Sequence, residues 1–248
     1  MARLRVLEAA VKRAFRAFGL EIQRLRGAGT QEAVIRNLLR RVRPVAVLDV
    51  GANKGQYAAA LRYLGYRGVI ISFEALTHIH AELSKRARGD PKWLVAPCAA
   101  LGSEAQRAEI NVASNTSSSS LLPMLEVHAQ AAPRSVYVGK ESVEIVRLDQ
   151  AFETLIPPAG SLFLKVDTQG YEREVLKGST ALMPRIAVIQ VELSLVPLYA
   201  TAPTLAEMVP YVESLGYEMF NIVPGFKEPR TGRLLQVDGF FVRRACSL

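Results

Sequence analysis

Apolar and polar positions along this chain change period several times, and each change marks a new element. Leu4, Leu7, Val11, Phe15, Phe18, Ile22 and Leu25 recur at steps of three or four, which makes one apolar helix face. Gly27-Ala28-Gly29 breaks that helix, and a second short one is predicted over 31–41. From Pro44 onward short apolar strands alternate with helices: strand 45–50, helix 56–64, strand 68–73, helix 77–88 with Thr77 as N-cap, and a strand from 93 to 96 running toward Cys98. The middle differs. Segments 108–112 and 142–147 alternate in polarity, as half-exposed strands do, and between them lies a long polar stretch. Inside a domain such a stretch is a lid, a binding loop or a disordered linker. Regular alternation then resumes with strand 161–166, helix 171–177 closed by Gly178, strand 187–191 and helix 204–214 closed by Gly216. Segments 217–223 and 234–243 form an antiparallel pair at or near the sheet edge. This order predicts an α/β fold with a doubly wound, mostly parallel sheet.

Length and charge refine the picture. A chain of 248 residues fits one large domain, or one domain with an extension. The pattern divides it into a helical extension, 1–43, and a main domain, 44–248. No apolar run approaches the roughly 18 residues that span a bilayer, and no signal-peptide core is present. Two cysteines, Cys98 and Cys246, are too few for a disulfide framework, so a reducing, cytoplasmic location is expected. The net charge is +8, and residues 1–26 carry seven basic and two acidic side chains, hence +5 of it. A nucleic-acid-binding surface would spread that charge over the domain, so no nucleic-acid partner is expected. A basic amphipathic helix instead either lies on an anionic membrane, at its inner face, or packs on its own domain or on the partner subunit of a homodimer.

The candidate chemistry begins where the first strand ends. Asp49-Val50-Gly51-Ala52-Asn53-Lys54-Gly55 is a glycine loop between a strand and a helix, where open α/β sheets bind ligands. It has two glycines where a dinucleotide fingerprint has three, and no Gly-Lys-Ser/Thr of a P-loop. A nucleoside without a pyrophosphate suits it better. Glu74 ends the second strand and is placed to accept hydrogen bonds from both ribose hydroxyls. That much would also serve NAD(P), so an oxidoreductase stays open beside a cofactor-binding module without turnover.

The residues from Val47 to Tyr57 look like motif I of class I methyltransferases. Together with Phe73-Glu74-Ala75, Ser117-Ser118-Ser119-Ser120-Leu121, Val146-Arg147-Leu148-Asp149, the run from Leu164 to Glu172, and Val175-Leu176-Lys177-Gly178, the chain resembles the FkbM family from residue 45 to about 243. The resemblance implies a seven-stranded class I methyltransferase sheet with a C-terminal antiparallel hairpin. It also implies S-adenosylmethionine as cofactor and O-methylation of a hydroxyl on a sugar, glycolipid or polyketide-type metabolite. By that resemblance Asp49, Gly51, Ala52, Asn53 and Gly55 face the methionine part of the cofactor, Glu74 holds the ribose, and Cys98 and Ala99 line the adenine. Gln56, Tyr57 and Ala75 complete the cofactor set.

A sugar hydroxyl is a poor nucleophile, so a nearby base helps its transfer chemistry. Asp167, ending a strand beside the switch point, is the candidate. Glu192 ends the next strand and should point into the same crevice, and Asp238 sits in the late hairpin. Three carboxylates of this kind could hold Mg²⁺; otherwise they are hydrogen-bonding groups, or pair with Lys165. Ser117, Ser118, Ser119, Ser120, Gln169 and Glu192 are the candidate acceptor contacts.

Overall fold

The computed structural model describes residues 11–15, 17–18, 30–152 and 154–245. Of the basic helix expected over residues 4–25, residues 11–15 are helical, with Val11, Phe15 and Phe18 exposed. Residues 17–18 form a turn, and the remaining residues of that stretch, with Cys246, lie outside the described residues. No helix among the described residues is long and apolar enough to cross a membrane.

Apolar runs become strands and amphipathic runs become helices in regular alternation. α1 (Gln31–Val42) starts at Thr30, whose hydroxyl accepts from the Ala33 N–H at 3.2 Å, as an N-cap does. β1 (Ala46–Val50), α2 (Gln56–Tyr63), β2 (Val69–Phe73), α3 (Thr77–Ala87) and β3 (Trp93–Val95) follow. β4 (Ala100–Leu101), β5 (Gln106–Ala113), α4 (Glu126–Ala131), β6 (Tyr137–Val146) and α5 (Leu148–Ala151) make up the middle. β7 (Leu162–Val166), α6 (Glu172–Lys177), β8 (Ile186–Ser194), α7 (Leu205–Ser214), β9 (Tyr217–Pro224) and β10 (Gln236–Arg243) complete the chain.

Seven strands form the main sheet in the order β3-β2-β1-β7-β8-β10-β9. All pairings are parallel except those of β10, which runs antiparallel to β8 and β9. β1 and β7 are buried at every position, because helices cover both faces; such strands read as unbroken apolar runs. One face packs Leu48, Leu164 and Ile189 against Met208 and Val212 of α7. The other packs Val47, Phe163 and Val188 against Val34, Ile35 and Leu38 of α1 and Leu61 of α2. α1, which the sequence grouped with the extension, therefore shares the core of the main domain.

The two alternating segments of the middle pair with each other. β5 and β6 run antiparallel and, with β4, form a separate three-stranded sheet. Its inner residues Ile110, Val143 and Ile145 pack on Leu76 and Ile79. This contact also corrects the start of α3. Thr77 is its first helical residue, not its cap, and the Glu141 carboxylate of β6 accepts from both the Thr77 N–H (2.9 Å) and its hydroxyl. A carboxylate at a helix N-terminus satisfies donors that have no partner within the helix. The polar stretch is ordered too: Thr116–Ser118 forms a 3₁₀ turn, and Ser120 bridges to Asn111 of β5.

Candidate active site

The chain leaves β1 for β2 on one side and reaches β7, on the other side, only after the three-stranded sheet. This reversal opens a crevice at the carboxyl ends of the strands. A cavity of about 500 Å³ occupies it, a size that takes a cofactor-sized ligand. Gly51, Asn53, Glu74, Ala75, Ala99 and Leu101 form one wall; Tyr57, Lys165, Asp167, Gln190, Glu192 and Asp238 form the other, with Gln31 of α1 at its rim.

The first wall is made by backbone geometry. Gly51 (φ +73°) and Gly55 (φ +77°) are left-handed, and so is Asn53 (φ 46°). A Cβ on Gly51 would fall 1.8 Å from the Asp167 carbonyl oxygen, and one on Gly55 would fall 2.5 Å from the Trp93 ring. Both glycines are therefore required by the protein's own packing, whatever the ligand. The Glu74 carboxylate accepts from the N–H groups of Asn53 (2.8 Å), Ala75 (3.0 Å) and Leu76 (2.9 Å). Burial pushes its pKa up, and these three amides pull it back. Asn53 also donates through its side chain to the Thr116 hydroxyl (3.1 Å), which ties the glycine loop to the polar stretch.

Asp49 does not line the cavity. Sheet register explains why. Ser72, Asp49, Lys165 and Gln190 are successive partners across β2, β1, β7 and β8, so their side chains form one row on the sheet face covered by α1 and α2. Trp93 Nε1 donates to Ser72 Oγ (3.0 Å), and Ser72 Oγ donates to Asp49 Oδ2 (3.2 Å). Lys165 Nζ lies 3.4 Å from Asp49 Oδ1 and 3.4 Å from Asp167 Oδ2. It donates to the Gly51 carbonyl (3.1 Å) and sits over the Tyr57 ring. Burial opposes the ammonium charge, but Asp167 and Asp49 more than offset it, so the Lys165 pKa lies above the ordinary lysine value. Asp49 thus lies behind the loop and is tied to it through Lys165.

The second wall is a side-chain network. Gln169, left-handed at φ 56°, donates from Nε2 to Asp167 Oδ1 (2.9 Å) and Glu192 Oε2 (2.7 Å). Its Oε1 accepts from the buried Tyr199 hydroxyl (2.8 Å). Gln236 donates to Glu192 (2.7 Å), while Gln190 (3.0 Å) and Gln31 (3.2 Å) donate to Asp238. The Tyr57 hydroxyl donates to Gln190 (2.7 Å). Burial, then the nearby Asp167, Glu172 and Asp238, push Glu192 well above the usual carboxylate range. Asp167 is the more open carboxylate, its side chain 38% exposed.

The remaining sequence candidates divide. Ala52, Asn53, Gln56, Tyr57, Glu74, Ala75, Ala99, Gln169 and Glu192 line the cavity, as do Ser117 and Ser119; Gly55, Cys98, Ser118 and Ser120 do not. The Cys98 thiol, exposed, donates to the Ala75 carbonyl (3.2 Å). Ser120 Oγ donates to the Gln169 carbonyl (2.7 Å) and Ser118 Oγ to Ser135 (2.9 Å), so both hydroxyls already have partners within the protein. Asp167, Glu192 and Asp238 do not make a magnesium set. Among the described residues no group of three or more His, Cys, Asp or Glu side chains is placed to hold a metal ion, and amide N–H groups already face these carboxyls.

Sequence reading missed Gln31, Gln190, Tyr199 and the work of Glu172. Glu172 accepts from the N–H groups of Thr168 (2.8 Å) and Gly170 (3.0 Å) and so holds the turn after β7. The one available signal was a polar residue inside an apolar strand, as at Gln190 in Ala187-Val188-Ile189-Gln190-Val191.

Solved structures similar to this chain include a precorrin-6y C5,15-methyltransferase from Geobacter metallireducens, 11% identical, covering 87% of this chain and 93% of that one, with a TM-score of 0.43. Aeropyrum pernix fibrillarin with natively bound S-adenosyl-L-methionine is 11% identical over 84% and 74%, with a TM-score of 0.45. An rRNA methylase from Streptococcus thermophilus is 9% identical over 88% and 98%, with a TM-score of 0.47. No curated protein matches the chain. The family model of the methyltransferase FkbM domain matches residues 49–219, well over half the chain. That span takes in the glycine loop, Glu74, Asp167 and Glu192, and it decides against the oxidoreductase alternative: this chain belongs to the FkbM family of methyltransferases, built on the S-adenosylmethionine-dependent class I fold.

Proposed function

We propose that the chain is an S-adenosylmethionine-dependent O-methyltransferase whose acceptor is a hydroxyl of a sugar, glycolipid or polyketide-type metabolite. The observation that carries this reading is the second wall. Asp167, Glu192, Gln190, Asp238 and Tyr57 present carboxyl, amide and phenol groups to one cavity, a lining suited to a molecule rich in hydroxyls.

The residues present fit the cofactor. Glu74, fixed by three backbone amides, would hold the ribose hydroxyls. Ala75, Ala99, Ala100 and Leu101 would flank the adenine, and the backbone from Gly51 to Asn53 would meet the methionine part. When bound, S-adenosylmethionine supplies a methyl group on a sulfonium for in-line displacement. The chain's own task is to align the acceptor oxygen and take its proton, and alignment supplies much of the rate. Asp167 is the base in this reading. Lys165 and Gln169 fix its two oxygens, so it is already oriented when the acceptor arrives. Burial and neighbouring carboxylates push the Glu192 pKa well above the usual carboxylate range, which favours its protonated form beside Asp167.

Calorimetric titration with S-adenosylmethionine and with NAD tests the cofactor; binding of NAD alone would sink the reading. Mass spectrometry of glycolipids and small glycosides from cells with and without the protein tests the acceptor. The expected result is a product heavier by one CH₂ that loses it on treatment cleaving an O-methyl ether. A product methylated on nitrogen or carbon would replace the O-specific reading.

A further inference from the structure

The opposite end of the sheet carries a second concavity that shares no residue with the cavity described above. Arg36, Arg40 and Arg43, from α1 and its C-cap, and Arg67, from the turn before β2, line a groove of about 450 Å³ together with Leu64 and Tyr66. No Asp or Glu lines it. Among the described residues none of the four arginines forms an ion pair. Arg36 Nε is buried and has no hydrogen-bond acceptor, which is uncommon for a buried donor.

Basic residues at a helix C-terminus complement its dipole, and Arg40, in the last turn of α1, has that explanation. It does not cover Arg36, one turn earlier, or Arg67, which comes from another element. Four arginines line one groove, and although Arg67 also donates to the Arg62 carbonyl (3.2 Å), their like charges would be relieved by an anion held among them. Their planar forks match the oxygens of a phosphate in paired hydrogen bonds. We propose that this groove is a phosphate-binding site, filled by the phosphate of an anionic lipid headgroup or of a soluble phosphorylated compound. Pro44 and Arg67 line it just before β1 and β2, so its ligand binds at the amino ends of the strands while methyl transfer is carried out at their carboxyl ends.

The test uses the full chain at low ionic strength. One arm is calorimetric titration with inorganic phosphate. The other is co-sedimentation with phosphatidylcholine vesicles, with and without phosphatidic acid. Saturable phosphate binding is expected, weakened about tenfold or more in Arg36→Gln/Arg40→Gln. Arg43→Gln/Arg67→Gln, which alters two exposed positions, should give the same loss and stands in if the first pair fails to fold. Arg107→Gln/Lys140→Gln removes two positive charges from the three-stranded sheet and should leave binding unchanged. Phosphate binding without vesicle retention assigns the site to a soluble compound. Retention that needs phosphatidic acid and is lost in the groove variants assigns it to a lipid headgroup. No saturable binding in either arm, or equal loss in the Arg107→Gln/Lys140→Gln control, overturns the proposal.

Discussion

The two walls of the cavity at the strand ends are built differently. On the glycine-loop side the shape comes from backbone: three left-handed residues, a carboxylate clamped by three amides, and two glycines with no room for a Cβ. On the β7–β8–β10 side it comes from side chains drawn from distant parts of the chain, with Gln31 meeting Asp238 and Gln169 meeting Glu192. A wall made of backbone tolerates almost no substitution but says little about what it accepts beyond one cofactor. A wall made of side chains can be altered one group at a time, and that is where acceptor choice can vary while the fold stays fixed.

Substitutions can break that contrast. The largest effect is expected for Gly51→Ala, where the new Cβ would overlap the Asp167 carbonyl oxygen in a left-handed residue. It should cost about 3 kcal/mol or more of stability and abolish cofactor binding, read by thermal melting and calorimetry. A variant that melts with the parent would mean that the two strand ends separate easily. Asp167→Asn should come next, lowering the methyl-transfer rate about 10²–10⁴-fold with cofactor affinity nearly unchanged; an unaltered rate would remove Asp167 as the base. Glu74→Ala leaves three backbone N–H groups without their acceptor and should weaken S-adenosylmethionine binding about 10- to 100-fold in a direct titration.

The smallest effect is expected for Glu192→Gln, because the amide has nearly the shape of the carboxyl, whose pKa burial pushes up. Its pH dependence has a definite sign. The folded-state pKa of Glu192 lies above the reference value of 4.5, so the native state holds the proton more tightly than the unfolded chain. That contribution favours folding below 4.5 and is lost as pH rises from there toward the folded value. Gln does not titrate. Urea melts should therefore show the variant gaining on the parent as pH rises above 4.5, and a constant difference would place the proton elsewhere.

The same contrast decides what was legible beforehand. The strands and helices of the main sheet followed from apolar runs, because burial on both faces keeps these strands mostly apolar. The glycine loop was legible because it is local: strand, turn and helix lie within one stretch from Ala46 to Tyr63. That Asp49 does not line the cavity could not be read beforehand, because it depends on the register of three strands, and register is not a local property. Gln31 and Tyr199 gave no signal at all, since each meets its partner only after the chain has folded back over it. The serine run looked like a set of free hydroxyls, but Ser118 and Ser120 spend theirs on Ser135 and on the Gln169 carbonyl.

The amide of Gln169 has a consequence for proton traffic. It spends its NH₂ on Asp167 and Glu192 and its oxygen on Tyr199. An amide neither gains nor loses a proton near neutral pH, so the group works as an insulator between two carboxyls that would otherwise share one. If Asp167 takes the acceptor's proton, as proposed, this contact gives that proton no route inward to Glu192, and its exit is the open side of Asp167, whose side chain is 38% exposed.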